Sequence, residues 1–253
     1  MKRRVLIIGI GAGNPDFVTI QAVNAMNEVD VFFIPDKGIE KEELARVRRQ
    51  IIERHVRDRS FRTVEYEVPH RSAESEYGQA VSAWHDDVEA VYGRLIMEEL
   101  DAAQTGAFLV WGDPTLYDST MRILGRLSSQ PEFELDYEIV PGISAVQALA
   151  AQHKVALNTI GRSILISTGR QMPEGFPNNV DSVVVMLNAE KALRKADGDV
   201  DVYWGAYVGM PDEVLVSGKL REVIEDIERI RSEERQRKGW IMDTVLLRKA
   251  DDD

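Results

Sequence analysis

The chain contains no cysteine. That removes disulfides, thiolate metal sites and a cysteine nucleophile from consideration, and it is compatible with a cytoplasmic location. Histidine is scarce as well. His55, His70, His85 and His153 form no close pair in sequence, so no metal site is expected. No apolar run approaches the roughly 18 residues that would cross a bilayer, so no membrane partner is expected. The opening "MKRRVLIIGIGAG" has only a short apolar run that leads into a glycine turn, and it reads as a first strand rather than a leader. Basic residues are outnumbered: 31 Lys and Arg against 43 Asp and Glu leave a formal net charge of −12. They are also scattered, whereas a nucleic-acid binder would show a basic face, so no nucleic-acid partner is expected. No internal repeat or low-complexity linker is visible, and the terminal "ADDD" reads as a solvated tail.

What is present is ordinary for a soluble globular protein: 44% apolar and 29% charged residues in a chain of 253, enough for one large domain or two small ones. Residues 4–9 read as a strand, followed by a helix from about Pro15 to Glu28. Next come a strand (29–35), a charged amphipathic helix (40–57), an alternating strand (62–68), a long helix (73–103) read as core packing, and a strand ending in a turn (106–114). Strands alternating with helices predict an α/β fold with a mostly parallel sheet. Further on, strands at 135–142, 162–168, 182–187, 200–208, 213–218 and 243–249 lie closer together, with one clear amphipathic helix from Lys219 to Ile230. This predicts a second, mixed-sheet α/β domain. The expected division is near Leu116, giving domains 1–115 and 116–253.

Three strand exits share a grammar. "VLIIGIGAGNPDFVT" (5–19) places glycines at 9, 11 and 13, which allow tight turning and close approach to a ligand. It departs from the dinucleotide fingerprint, since Asn14 stands at its last position. Asn14-Pro15-Asp16 reads as a helix start, and Asp16 complements the helix dipole with the protein's own charge. A phosphate would meet a carboxylate there, so a ligand without phosphates is expected. "WGDPTLYDST" (111–120) repeats the pattern with Asp113 as N-cap and Pro114 at N1; Asp113 would also suit a cation. "IVPGISAVQALAA" (139–151) supplies the third turn. All three lie at carboxyl ends of strands, where open α/β sheets bind ligands.

This ordered set, continued by "SVVVMLNAEKAL" and "YWGAYVGMPDEVLVSGKLREV", resembles the tetrapyrrole methylases that use S-adenosylmethionine, over nearly the whole chain. The runs "NPDFVTIQAVNAMNEVDVFFIPDKG", "LYDST" and "HKVALNTIG" resemble the branch that methylates a corrin precursor on carbon while releasing acetate.

The resemblance implies a two-domain fold with S-adenosylmethionine folded into the cleft between the domains, S-adenosylhomocysteine as product, a tetrapyrrole substrate, and a homodimer. It matches Ala12 and Gly13 to the loop facing the methyl group. Trp111, Gly112, Asp113 and Leu116 match the cofactor turn, Ser144 and Ala145 the small pair beside the methionine end, and Met186, Leu187 and Val208 the adenine-side wall. Methyl transfer needs alignment more than acid–base groups, but acetyl removal needs a base. Asp36, after the second strand, and His70, after the third, are the candidates. Lys37 and Arg71, like Arg122 or Arg170, are candidate partners for substrate carboxylates. Alternatives are another tetrapyrrole methylase, acting on a different precursor, a Rossmann-type oxidoreductase with Asp36 as its ribose-binding acid, and a non-catalytic tetrapyrrole carrier.

Overall fold

The computed structural model describes residues 2–36, 38, 42–57, 59–70 and 77–249. The chain forms two compact units, Met1–Gly11 with Pro15–Ile143 and Ala12–Asn14 with Ser144–Asp253.

The first unit is built on five parallel strands: β1 (Arg3–Gly9), β2 (Val31–Asp36), β3 (Arg62–Glu67), β4 (Thr105–Val110) and β5 (Leu135–Val140), in the order β3-β2-β4-β1-β5. This is not the strand order of the doubly wound dinucleotide sheet. β1 lies between two neighbours, and its Val5–Gly9 run is buried, as a parallel strand covered on both faces should be. The helices are α1 (Ile20–Met26), α2 (Glu42–His55), α3 (Tyr77–Glu99) and α4 (Thr120–Ser128). The core between the sheet, α3 and α4 is aromatic: Tyr92 stacks on Phe108 with centroids 4.3 Å apart, and Phe33 and Tyr66 pack against Phe108.

β5 completes the first sheet beside β1, in register from Arg3↔Leu135 to Ile8↔Val140. The division of the chain therefore falls after Ile143 rather than near Leu116: cutting at Leu116 would strip an edge strand and α4 from their own core. Two helix starts also differ from expectation. After Asn14, residues Pro15–Phe17 form a 3-10 turn, and α1 begins at Ile20 with Thr19 as N-cap, its hydroxyl accepting from the Ala22 N–H at 3.1 Å. After Asp113-Pro114 there is likewise a turn, and α4 begins only at Thr120. The Pro-at-N1 grammar is genuine in both places, but it opens a single turn instead of the helix proper.

The second unit holds β6 (Ile164–Ser167), β7 (Ser182–Val185), β8 (Asp201–Ala206), β9 (Val214–Lys219) and β10 (Asp243–Arg248), in the order β6-β7-β10-β8-β9. Only β6 and β7 pair in parallel; the other pairs are antiparallel, giving the expected mixed sheet. Its helices are α5 (Ala145–His153), α6 (Ala189–Lys195) and α7 (Leu220–Lys238). α7 runs eight residues past Ile230, to Lys238. Its last turns are held by ion pairs such as Arg229–Glu233 and Arg237–Glu234 and by Lys238, whose ammonium lies 4.6 Å from the Tyr207 ring centroid. Apolar periodicity alone does not reveal that extension.

One buried polar cluster ties this unit together. Asp243 accepts from the Trp204 indole N–H at 3.1 Å and from Arg231 Nε at 3.0 Å, and Arg231 also reaches Glu190 at 2.7 Å. His153 donates from Nε2 to the Trp204 carbonyl at 3.0 Å. Among the described residues, no helix is long and apolar enough to cross a membrane.

Candidate functional site

In the first unit the three strand-exit turns meet at one point. Gly11 and Gly112 form an antiparallel bridge, with N···O distances of 2.8 and 3.3 Å. Both have positive φ, 78° and 71°, a backbone region that glycine enters without cost. A Cβ on Gly142 would stand 2.1 Å from the Gly112 carbonyl oxygen, and a Cβ on Gly9 would stand 2.6 Å from the Gly142 nitrogen. Only glycine fits at these two positions, and the three turns pack backbone against backbone.

Asp113 locks the arrangement. Its Oδ2 accepts from the Gly142 N–H at 2.8 Å, while Oδ1 accepts from the Thr115 N–H at 2.8 Å and from the Thr115 hydroxyl. Burial works against its charge, but the Thr115 hydroxyl and the Gly142 and Thr115 amides outweigh burial and hold the carboxyl below its ordinary range. Asp113 therefore stays ionised as the clasp between the second and third turns. Asp16 is exposed and pairs with Arg54 of α2. None of the three turns carries a lysine or arginine, so none offers a cationic side chain to a phosphate.

The other candidates in this unit are more dispersed. Trp111 and Leu116 flank the Asp113 turn and are half-buried. Asp36 is exposed at the end of β2, its Oδ1 accepting from the Gly38 N–H at 2.8 Å. His70 is exposed beyond β3, next to Pro69, whose carbonyl accepts from the Trp84 indole N–H at 2.8 Å. Lys37 and Arg71 lie outside the described residues.

Ala12 and Gly13, grouped with the second unit, are buried, and Gly13 has φ 125°. Ser144 is the N-cap of α5. Its hydroxyl accepts from the Val146 N–H at 3.1 Å and shares a capping box with Gln147, and Ala145 opens the helix. Met186 and Leu187 leave β7 and Val208 leaves β8. These strands run the same way, each antiparallel to β10 between them, so the three residues lie at one edge of the second sheet. Left-handed residues stand beside them: Asn188 at φ 61° and Tyr207 at φ 52°.

The first unit also contains a cavity of about 250 Å³, lined by side chains from β2, β3, β4, α2, α3 and the 117–120 turn, among them Arg48, Tyr66, Tyr92 and Ser119. Arg48 is buried and donates from Nε to the Leu109 carbonyl at 3.0 Å and from Nη1 to the Leu44 carbonyl at 2.8 Å. His85 of α3, also buried, has Nε2 2.8 Å from Ser119 Oγ. Neither Arg48 nor His85 was singled out as functional from sequence, although a signal existed: each stands on the apolar stripe of its helix, Arg48 between Ala45 and Ile52, and His85 between Val81 and Val88.

The family model for the tetrapyrrole (corrin/porphyrin) methylases matches residues 4–224. The chain belongs to the tetrapyrrole methylases. It is 47% identical over 252 residues to a precorrin-6A synthase [deacetylating] from Sinorhizobium sp, covering 99% of this chain and 97% of that one. A solved structure from Corynebacterium diphtheriae, described as a putative cobalamin synthesis related protein (CobF), superposes with TM-score 0.82 at 33% identity, covering 99% of this chain and 100% of that one. A uroporphyrin-III C-methyltransferase from Thermus thermophilus, solved in complex with S-adenosylhomocysteine, shares the fold at TM-score 0.56 and 18% identity, over 96% of both chains. Tetrapyrrole methylases use S-adenosylmethionine, and the turns that carry the family pattern are the ones joined at Gly11, Gly112 and Gly142.

Proposed function

We propose that this tetrapyrrole methylase is a deacetylating precorrin-6A synthase: a C-methyltransferase of cobalamin (corrin) biosynthesis that converts precorrin-5 to precorrin-6A with release of acetate. The observation that carries the reading is the full-length likeness to the Sinorhizobium enzyme, reinforced by the C. diphtheriae structure.

The methyl donor, S-adenosylmethionine, supplies an electrophilic methyl group on a sulfonium and leaves as S-adenosylhomocysteine. The turns suit it. They present carbonyls, an ionised Asp113 and no cationic side chain, which favours a ligand with a positive centre and no phosphate. In the first unit Trp111, Gly112, Asp113 and Leu116 would hold it; in the second, Ala12, Gly13, Ser144, Ala145, Met186, Leu187 and Val208 would. The Ser144 hydroxyl is committed to its helix cap, so its contribution is a small side chain and a fixed backbone. These residues align a donor and a carbon nucleophile, and alignment is the main requirement of the transfer.

Acetyl removal calls for a proton acceptor. By family resemblance it is sought at Asp36 or His70, with Lys37 and Arg71 offered to substrate carboxylates. A cytoplasmic homodimer belongs to the same reading. The test is product mass with precorrin-5 and S-adenosylmethionine. The reading predicts a gain of one methyl group, loss of the acetyl group and one acetate per turnover; methylation with the acetyl group retained would assign the chain to another member of the family.

A further inference from the structure

Ser119 occupies the N-cap position of α4, yet its hydroxyl does not cap the helix. Asp118 does that work, its Oδ1 accepting from the Thr120 N–H at 2.7 Å. A serine in this position ordinarily accepts from its own helix. Here the hydroxyl instead lies 2.8 Å from Nε2 of buried His85 on α3. Two residues earlier, Tyr117 holds a left-handed φ of 56°, strain of the kind that gathers at functional turns. Ser119 and Tyr117 both line the 250 Å³ cavity. That volume is far above the roughly 30 Å³ of a water molecule and below the roughly 300 Å³ at which pockets for drug-sized ligands begin. It suits one arm of a large substrate, not the macrocycle.

We propose that Ser119 and His85 are the nucleophile and base that remove the acetyl group. The proposal rests on the deacetylating function above. It moves the first proton transfer from exposed Asp36 and His70 to a buried pair in hydrogen-bond contact, the signature of an activated hydroxyl. With His85 protonated at Nδ1, Nε2 accepts the Ser119 proton as Oγ attacks the acetyl carbonyl carbon. The carbon–carbon bond to the macrocycle then breaks. Its electron pair stays on the ring carbon, which becomes the nucleophile for methylation, and the acetyl group remains on Ser119 as an ester. His85 passes the proton taken from Ser119 to solvent and is neutral again. Water then gives a proton to it while attacking the ester, and the histidine returns that proton to Ser119 Oγ as acetic acid leaves and ionises to acetate.

The surroundings fit these roles. Burial first, then the Arg122 and Arg126 charges, lower the His85 pKa against the opposing effect of Asp86, so the imidazole is neutral and able to accept a proton near pH 7. The positive end of α4 lies at Ser119 and favours developing negative charge on its oxygen. The buried Arg48 guanidinium lines the same cavity and favours negative charge on the carbonyl oxygen.

The experiment compares wild type, Ser119→Ala, His85→Gln, Asp36→Asn and His70→Gln with precorrin-5 and S-adenosylmethionine. Acetate, methylated product and S-adenosylhomocysteine binding are measured in each. Ser119→Ala and His85→Gln are expected to lose at least about 100-fold in acetate release while binding S-adenosylhomocysteine as wild type does. Rapid quenching of wild type is expected to give a Ser119 peptide heavier by one acetyl group. Acetate release by Ser119→Ala within about threefold of wild type overturns the proposal, as does an acetyl adduct on another residue. Loss confined to Asp36→Asn or His70→Gln returns the chemistry to those residues. The adduct search on wild type is independent of how well any variant folds. Wild type that binds S-adenosylhomocysteine but releases no acetate instead overturns the parent function, and the Ser119 step with it.

Discussion

The two sheets hold the edges that carry the candidate site residues by different means. In the first unit the carboxyl ends of β1, β4 and β5 are joined backbone to backbone at Gly9, Gly11, Gly112 and Gly142, and Asp113 clasps the joint. In the second unit one such contact occurs at the sheet edge: a Cβ on Gly169 would stand 1.9 Å from the Asn188 carbonyl oxygen. The rest is held by side chains, with Arg231 of α7 and His153 of α5 bonded to Asp243 and to the Trp204 carbonyl of the sheet, and Trp204 bonded to Asp243. Both edges gather left-handed backbone, at Gly11, Gly112 and Tyr117 in one and at Asn188 and Tyr207 in the other. The lesson is that family turns can be fixed either by excluding every side chain or by anchoring a buried polar cluster. The first solution ties stability to site geometry; the second separates them.

Four substitutions test that contrast. Trp204→Ala removes a fully buried ring and leaves Asp243 without its indole donor. It should cost about 4 kcal/mol in denaturant unfolding, while protein that remains folded keeps S-adenosylhomocysteine affinity within about threefold. Gly142→Ala forces a methyl group against the Gly112 carbonyl. It should cost about 3 kcal/mol and also weaken S-adenosylhomocysteine by at least about 100-fold in calorimetry. Equal binding losses in both variants would erase the distinction between the units. Asp113→Asn keeps the shape of the clasp but removes its charge and one acceptor, so about 1–2 kcal/mol and about tenfold in affinity are expected. The smallest effect is on pH dependence. Burial lowers the pKa of His153, outweighing its bond to the Trp204 carbonyl and the attraction of Glu213, and burial likewise lowers that of His85. The unfolded chain therefore binds more protons below about pH 6.5. Stability is full above that range and declines as pH falls through the lower folded-state values. His153→Gln should flatten the decline measured by urea unfolding between about pH 6.5 and 5.

Much of the fold was legible because strands and helices alternate with clear periodicity, and the turns were legible because Gly, Pro and Asp have few other uses at strand exits. Two kinds of feature were not. Asn14-Pro15-Asp16 and Asp113-Pro114 announce a turn of helix, and sequence does not say whether the helix continues; in both places it restarts several residues later. The division of the chain was drawn before β5 because the 135–142 run pairs with β1, a partner more than 100 residues away, and no local pattern carries that information. The same applies to His85 and Ser119, which meet only through the packing of α3 on α4. The 73–103 run reads as core packing, and in the observed Tyr77–Glu99 helix Val88, Tyr92, Leu95 and Ile96 do pack there. One polar residue on that stripe was the available clue.

The most direct test of the central claim, that the joined turns belong to a S-adenosylmethionine site, is isothermal titration of the wild-type chain with S-adenosylhomocysteine. The account predicts saturable binding, one ligand per chain, that is lost in Gly142→Ala. A folded wild-type chain that takes up no ligand, or binds a nicotinamide dinucleotide in its place, would contradict it.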